Sequence, residues 1–163
     1  MDREKNIVLV SHCLLNQNSV VLPLARAKGM YKALVEVIKD REIGILQLPC
    51  PEIIHLGIER KPMTKQEYDT EDYRRLCREL LKPIIIQLEF YKASDYNLVG
   101  IIGIDESPTC SLDTKGIMME EFYKSLEEYH IELSNIAVPT TYRENVETRF
   151  SEKLSIWLDQ NMK

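Results

Sequence analysis

Apolar residues along this chain follow two rhythms. Residues 7–10, 43–48, 98–104 and 133–138 are short, nearly unbroken apolar runs rich in β-branched side chains. They lack the alternation of a half-exposed strand, which predicts strands covered on both faces of a parallel sheet. Between them the spacing turns helical. Met30, Leu34, Val37 and Ile38 share one face. Tyr73, Leu76, Leu80, Ile84, Leu88 and Tyr91 form a longer stripe, with a bend expected at Pro83, where the ring removes a hydrogen bond. Met119, Phe122 and Leu126 make a third stripe, and Val146, Phe150, Leu154, Trp157 and Leu158 a fourth.

Two local signals sharpen the helix starts. Thr64 precedes Glu67, and Thr141 precedes Glu144, by the three residues of a capping box. The order is then β-α-β-α-β-α-β-α. Such alternation predicts a three-layer α/β domain, Rossmann-like or flavodoxin-like, with a mainly parallel sheet of about four strands and right-handed crossovers. No repeat or linker interrupts it, so residues 1–163 are expected to form a single domain.

Composition narrows the function. The 21 basic residues against 26 acidic ones give a net charge of −5. That leaves no basic footprint for a dedicated nucleic-acid binder. No apolar run has the length of a signal-peptide core or a membrane span. A cytoplasmic location and no membrane partner are expected, and cytosolic thiols stay reduced. Oligomeric state has no signature in the chain.

The four cysteines, Cys13, Cys50, Cys77 and Cys110, show no CxxC spacing. Placed on the strand pattern they divide. Cys13, Cys50 and Cys110 follow the first, second and third strands, and parallel strands put those ends on one edge, where ligands of open α/β sheets bind. Cys77 sits in the stripe of the long helix and reads as a buried, inert thiol. Three converging thiolates suit zinc, copper(I) or an iron–sulfur cluster. A single nucleophilic thiol beside His12 or His55 is the metal-free option, although a His12–Cys13 pair on a strand would need a bend. The thiols could also simply line a loop-rich edge. The first strand is not followed by a glycine-rich phosphate loop, which counts against a nucleotide or flavin module.

Three motifs surround these cysteines: Ser11-His12-Cys13-Leu14-Leu15-Asn16, Cys50-Pro51-Glu52, and Ser107-Pro108-Thr109-Cys110-Ser111. Together and in order they resemble the bacterial family of small Rossmann-like proteins that includes the thiouracil desulfidases, with the patterns S-x-C-L-L-G, C-P-E and S-P-S-C-G. The resemblance implies a 4Fe-4S cluster held by Cys13, Cys50 and Cys110, with one iron open to the sulfur of a small-molecule thiocarbonyl substrate. Such a cluster is oxygen-labile and can be lost in aerobic preparation. It also implies catalytic roles for Glu52, at the family's glutamate, and for Ser107, at its serine. The activity implied is hydrolytic C–S cleavage releasing sulfide from a thiolated nucleobase or a related compound. A non-catalytic iron–sulfur or zinc protein, carrying sulfur or binding a ligand, and a metal-free cysteine hydrolase are the competing readings.

The surroundings depart from the family. Asn16 and Ser111 replace glycines, and the first loop reads Gln17-Asn18-Ser19-Val20-Val21-Leu22-Pro23 where an arginine-tyrosine-glycine stretch is usual. Asn16 is the kind of substitute that tolerates positive φ. Of the other polar residues, Asp105 and Glu106, just after the third strand, could be site carboxylates, with solvated loop charges the more frequent case. Arg60 and Lys61 are expected at the surface, with contact to an anionic or carbonyl-bearing substrate as the alternative; His55 reads as a loop or partly buried residue ahead of a ligand, and His130 lies between a helix and the fourth strand. Thr140 and Thr141 could wall a pocket at the end of the fourth strand, and Tyr142 and Arg143 could add to it.

Overall fold

The computed structural model describes residues 2–144, 146 and 149–163. The four apolar runs become β1 (Asn6–Val10), β2 (Gly44–Gln47), β3 (Asn97–Ile104) and β4 (Asn135–Val138). All neighbours pair in parallel, in the order β2-β1-β3-β4. The helices are α1 (His12–Leu15), α2 (Lys32–Lys39), α3 (Pro51–Leu56), α4 (Lys65–Tyr68), α5 (Glu71–Ala93), α6 (Ile117–Glu128) and α7 (Arg149–Asn161), with a 3-10 turn at Gln17–Ser19. This is the expected three-layer, Rossmann-like α/β fold.

The sheet has a core on each side. Leu9 and Ile101 face the helices α5 and α6, packing with Tyr73, Leu81, Leu88, Met119 and Phe122. Val8, Val10, Val99 and Ile102 face α2 and α7, packing with Leu34, Ile38, Phe150, Leu154 and Leu158. The central strands β1 and β3 are therefore covered on both faces, which is why they read as continuous apolar runs. The edge strand β2 differs. Only Ile43 and Leu48, just outside its ends, are buried, and Ile45 is 40% exposed. An apolar run at an edge has a layer missing on one side, and residue pattern alone does not show it.

Local signals were met unevenly. Thr64 and Glu67 do form a reciprocal capping box, but on the one-turn α4; Thr70 caps the long α5 by accepting from the Tyr73 N–H at 3.2 Å. The α5 helix runs unbroken through Pro83, whose position is exposed, so the carbonyl it leaves unbonded can face water. Its buried stripe is Tyr73, Cys77, Leu81, Ile84, Ile85 and Leu88, so Leu81 takes the place expected of Leu80. Thr141 does not start a helix: α7 begins at Arg149, and Val146 lies outside it at 80% exposure. Glu144 instead accepts from the Ala33 N–H at 3.0 Å and from the Tyr142 hydroxyl at 3.1 Å. It serves an open N–H in the first turn of α2, a helix far away in sequence.

Strand order sets the site. The chain steps from β1 to β2 on one side, then crosses back over β1 to β3 on the other. The connections leaving β1 and β3 diverge at this reversal and open a crevice at the carboxyl edge. No helix is long and apolar enough to cross a membrane, among the described residues.

Candidate functional site

Each motif cysteine is delivered to the crevice by a different device. After β1 the Ser11 N–H donates to the Ile102 carbonyl at 3.0 Å, and the chain turns into the single-turn α1 that carries His12 and Cys13. This turn supplies the bend a strand would have lacked. Cys50 is the N-cap residue of α3, with Pro51 at the first helical position, where its missing N–H costs nothing, and Glu52 in the first turn. Cys110 sits in a turn built by Ser107. The Ser107 Oγ accepts from the Cys110 N–H at 2.9 Å and from the Thr109 N–H at 3.3 Å.

The Cys110 turn is clamped from two sides. The Tyr73 hydroxyl on α5 meets the Thr109 Oγ1 at 2.8 Å. At the start of α6 the Ile117 and Met118 N–H groups donate to the Pro108 and Thr109 carbonyls, at 3.0 and 3.1 Å. This approach requires Gly116, because a Cβ there would fall 2.2 Å from the Thr109 carbonyl carbon.

A cavity of about 140 Å³ opens where these loops meet. Its wall includes Cys13, Cys50, Cys110, Glu52 and Ser107, the five residues singled out by the motifs, together with His12 and Asp105. Cys77 is elsewhere, fully buried in the helical core. Cys13 and Cys50 are partly exposed, and Cys110 is 9% exposed. Burial pushes the Cys13 thiol up to about 12, with the nearby Cys50 and Glu52 adding to it. Cys110 is raised by burial and then by Cys13, Cys50 and Glu52. Cys50 is also raised by burial, eased by the Ile53 N–H of the α3 first turn. The three thiols are thus close enough to oppose one another's ionisation.

That donor set fits a thiophilic centre. Three soft sulfurs around one cavity are what zinc, copper(I) and iron–sulfur clusters select. Burial and mutual repulsion penalise three bare thiolates, a penalty that a bound cationic centre removes. Among the described residues, no three His, Cys, Asp or Glu side chains form a ready-made site for an ion. A cubane asks for thiolate sulfurs roughly 6–7 Å apart.

Glu52 is held by Arg60, whose Nε and Nη2 donate to its Oε2 at 3.3 and 3.4 Å. Arg60 is buried, against the surface position expected of it, because its remaining donors reach the Gly57 carbonyl at 3.1 Å and the Ser19 carbonyl at 2.7 Å. Gly57, at φ +79°, ends α3 in a conformation that turns the chain toward Arg60. Asp105 is not a solvated loop charge. It is partly buried on the cavity wall, its Oδ1 has no partner, and burial raises it, with Asp113 and Glu106 adding. Glu106 lies on the same wall at φ +61°, with its side chain exposed.

Other expectations fall away. His55 is exposed, its ring 5.1 Å from Tyr73 and outside the cavity. His12 lines the cavity but pairs its Nδ1 with the Gln47 Nε2 at 2.6 Å. Thr140, Thr141 and Arg143 do not line the cavity, and Lys61 is exposed, as expected. Tyr142 is buried behind it, stacked on Tyr31 with ring centroids 5.0 Å apart. Asn16 adopts φ −149°, so its place needs no positive φ; its side chain accepts from the Asn18 N–H at 3.1 Å.

Sequence reasoning missed Gln17, Arg26 and Tyr31. Gln17 is 3% exposed and donates from Nε2 to the Cys13 carbonyl at 2.7 Å. Its Oε1 accepts from the Arg26 N–H at 2.7 Å and the Ala27 N–H at 3.3 Å. The segment between them has no hydrophobic period and no motif, so nothing local marked these residues.

The uncharacterised protein MJ0003 of Methanocaldococcus jannaschii is 49% identical over 136 residues, covering 83% of this chain and 86% of that protein. This chain belongs to the family of that protein. No family model matches the chain, and no solved structure matches it.

Proposed function

We propose that this protein is an iron–sulfur-dependent desulfidase that removes sulfur, as sulfide, from a small thiocarbonyl compound such as a thiolated nucleobase. One observation carries the reading. Three cysteines from three separate strand ends line a single cavity together with Glu52 and Ser107, while the fourth cysteine is buried in a helix. The motif resemblance gives this set its chemistry.

Cys13, Cys50 and Cys110 would hold the 4Fe-4S cluster, which supplies an iron free of protein ligands as a Lewis acid toward sulfur. The reaction consumes water and balances as thiocarbonyl plus water giving carbonyl plus hydrogen sulfide. Glu52, kept in place by Arg60, accepts a proton from the attacking water and returns one to the departing sulfur. Ser107 shapes the Cys110 turn and offers a hydroxyl at the cavity wall. The apolar walls at Val20, Val21 and Met63 limit bulk water around the reacting carbon.

Anaerobic reconstitution of the full chain, followed by iron analysis and a sulfide assay on 2-thiouracil, tests this. About four irons per chain and sulfide release are expected. The single variants Cys13→Ala, Cys50→Ala and Cys110→Ala should lose the cluster, and Cys77→Ala should keep it. Normal iron in all three motif variants would sink the proposal. A stable cluster with no sulfide released from any thiocarbonyl compound would favour the non-catalytic reading.

A further inference from the structure

The sheet has two edge strands, and only one is covered. On β4, Ala137 and Ile136 pack into the two cores, one on each face. On β2, Leu46 packs inward, but Gly44, Ile45 and Gln47 are exposed. One side of β2 pairs with β1 in unbroken register, and its other side pairs with no strand among the described residues. Such an edge is usually guarded by a lysine, a proline or a bulge. Gly44-Ile45-Leu46-Gln47 has none of these.

The same side of the molecule is apolar. The flank of α5 that meets α6 carries Arg74 and Arg78, both paired with Glu121. Leu80, Pro83, Gln87 and Phe90 recur at steps of three and four and share a different flank, with Ile86 beside them. Since α5 joins β2 to β3, and α6 joins β3 to β4, that flank looks toward the β2 end of the sheet. Phe90 is 69% exposed and Ile86 50%. The α3 helix follows β2 directly and packs on the first half of α5, where the His55 ring lies 5.1 Å from Tyr73. It leaves Ile54 and Leu56 exposed. A bare edge strand and two apolar helix surfaces therefore adjoin.

We infer that the β2 edge and the outer flank of α5 form a two-fold interface with a second copy of this chain. A two-fold axis perpendicular to the sheet sets β2 antiparallel to β2 of the second copy and continues the sheet across both. The same axis pairs the two α5 helices antiparallel. Charge favours another copy as the occupant. The β2 strand carries none, so identical edges meet without repulsion. With the axis beside Lys82, Arg75 of each copy stands level with Glu89 of the other, twice per dimer. Both residues are exposed, and the present partner of Arg75 is the exposed Asp72, an exchangeable contact. Glu79 of each copy falls within about one turn of Lys82 of the other, which offsets the approach of the two lysines at the axis. Area agrees as well. Ile45, Ile54, Leu56, Ile86 and Phe90 leave on the order of 450 Å² of apolar surface open per copy. A standard interface buries about 800 Å² per partner, a little over half of it apolar. Antiparallel pairing also brings the Phe90 end of one α5 to the α3 of the other, which covers Ile54 and Leu56. The inference stands apart from the desulfidase reading and needs no cluster.

Sedimentation velocity on the full chain over a concentration series tests it. A species of about twice the 19.0 kDa chain mass is expected. Phe90→Glu, at a position the monomer leaves open, should weaken the dimer at least about tenfold. Ile45→Lys should do so independently, by guarding the edge. Arg75→Glu and Glu89→Arg should each weaken it about two- to fivefold. Combined, they should restore it to within about twofold of the parent, because the exchanged charges face each other again. Circular dichroism matching the parent confirms that each variant is folded. A monomer at every concentration, a dimer indifferent to Phe90→Glu and Ile45→Lys, open-ended assemblies, or no rescue in the double variant would each overturn the inference.

Discussion

Two regions of this molecule concentrate charge, and they treat it oppositely. Between α5 and α6, Glu121 is 4% exposed, yet it is met by Arg74 at 2.8 Å, Arg78 at 3.3 Å and Lys124 at 3.3 Å. Arg74 in turn holds Asp69 at 2.6 Å and Glu120 at 2.8 Å, and Lys65 also pairs with Glu120. At the strand ends the charges are fewer and less complete. Asp105 keeps a buried oxygen without a partner, and burial raises it. Burial alone does not mark a functional site. A saturated network fixes two helices to each other, whereas buried groups left open are poised for something the chain does not contain.

The largest loss is expected at Glu52. Glu52→Gln should keep its place near Arg60 and keep the iron, but lower sulfide release by about 10²–10⁴-fold, the usual worth of a general acid–base group. Steady-state sulfide assays with iron content measured in parallel check this. A variant that retains activity would move the proton transfer elsewhere, with Asp105 the next candidate.

Glu121→Ala should act on stability instead. It leaves Arg74 and Arg78 without their shared buried partner. The cost should be about 2 kcal/mol, discounted from the buried-pair range because the arginines reach solvent. Urea unfolding should report it, with iron content and sulfide release unchanged. Loss of activity in this variant would show that the two regions are coupled.

Acid should discriminate the regions next. Burial raises Glu120 and Glu121, but their lysine and arginine partners outweigh it and hold both below the ordinary carboxylate range. Asp69 is held low by its bond to Arg74. Groups depressed in the folded state contribute stability above their unfolded values, about 4, and lose it as pH falls through the folded ones. Unfolding free energy should therefore decline below about pH 4. The decline should be shallower in Glu121→Ala. The smallest effect belongs to Cys77→Ala, which removes one sulfur from a filled helical core. It should cost about 1 kcal/mol by thermal or urea unfolding, with the cluster intact.

Much of this was legible in the chain. The apolar runs predicted four strands and their parallel arrangement, because strands covered on both faces need no alternation. Parallel strands share a carboxyl edge, so Cys13, Cys50 and Cys110 could be placed together and Cys77 apart. Glu52 and Ser107 followed from their motifs. Illegible were residues whose role depends on partners distant in sequence. Arg60 looked like a surface cation until the Ser19 and Glu52 oxygens closed around it. Glu144 looked like the cap of its own helix and serves α2. Asp105 looked solvated.

The sequence by itself thus determined the layers, the strand count and which thiols stand at strand ends, since these follow from local periodicity and the one-way geometry of parallel crossovers. Only the tertiary structure decided the strand order, the exposure of β2, and which polar groups at the cavity are paired. Pairing is a long-range property. Arg26 and Arg60 are the same residue type at similar loop positions, and only the folded chain gives Arg60 a glutamate and Arg26 a backbone carbonyl.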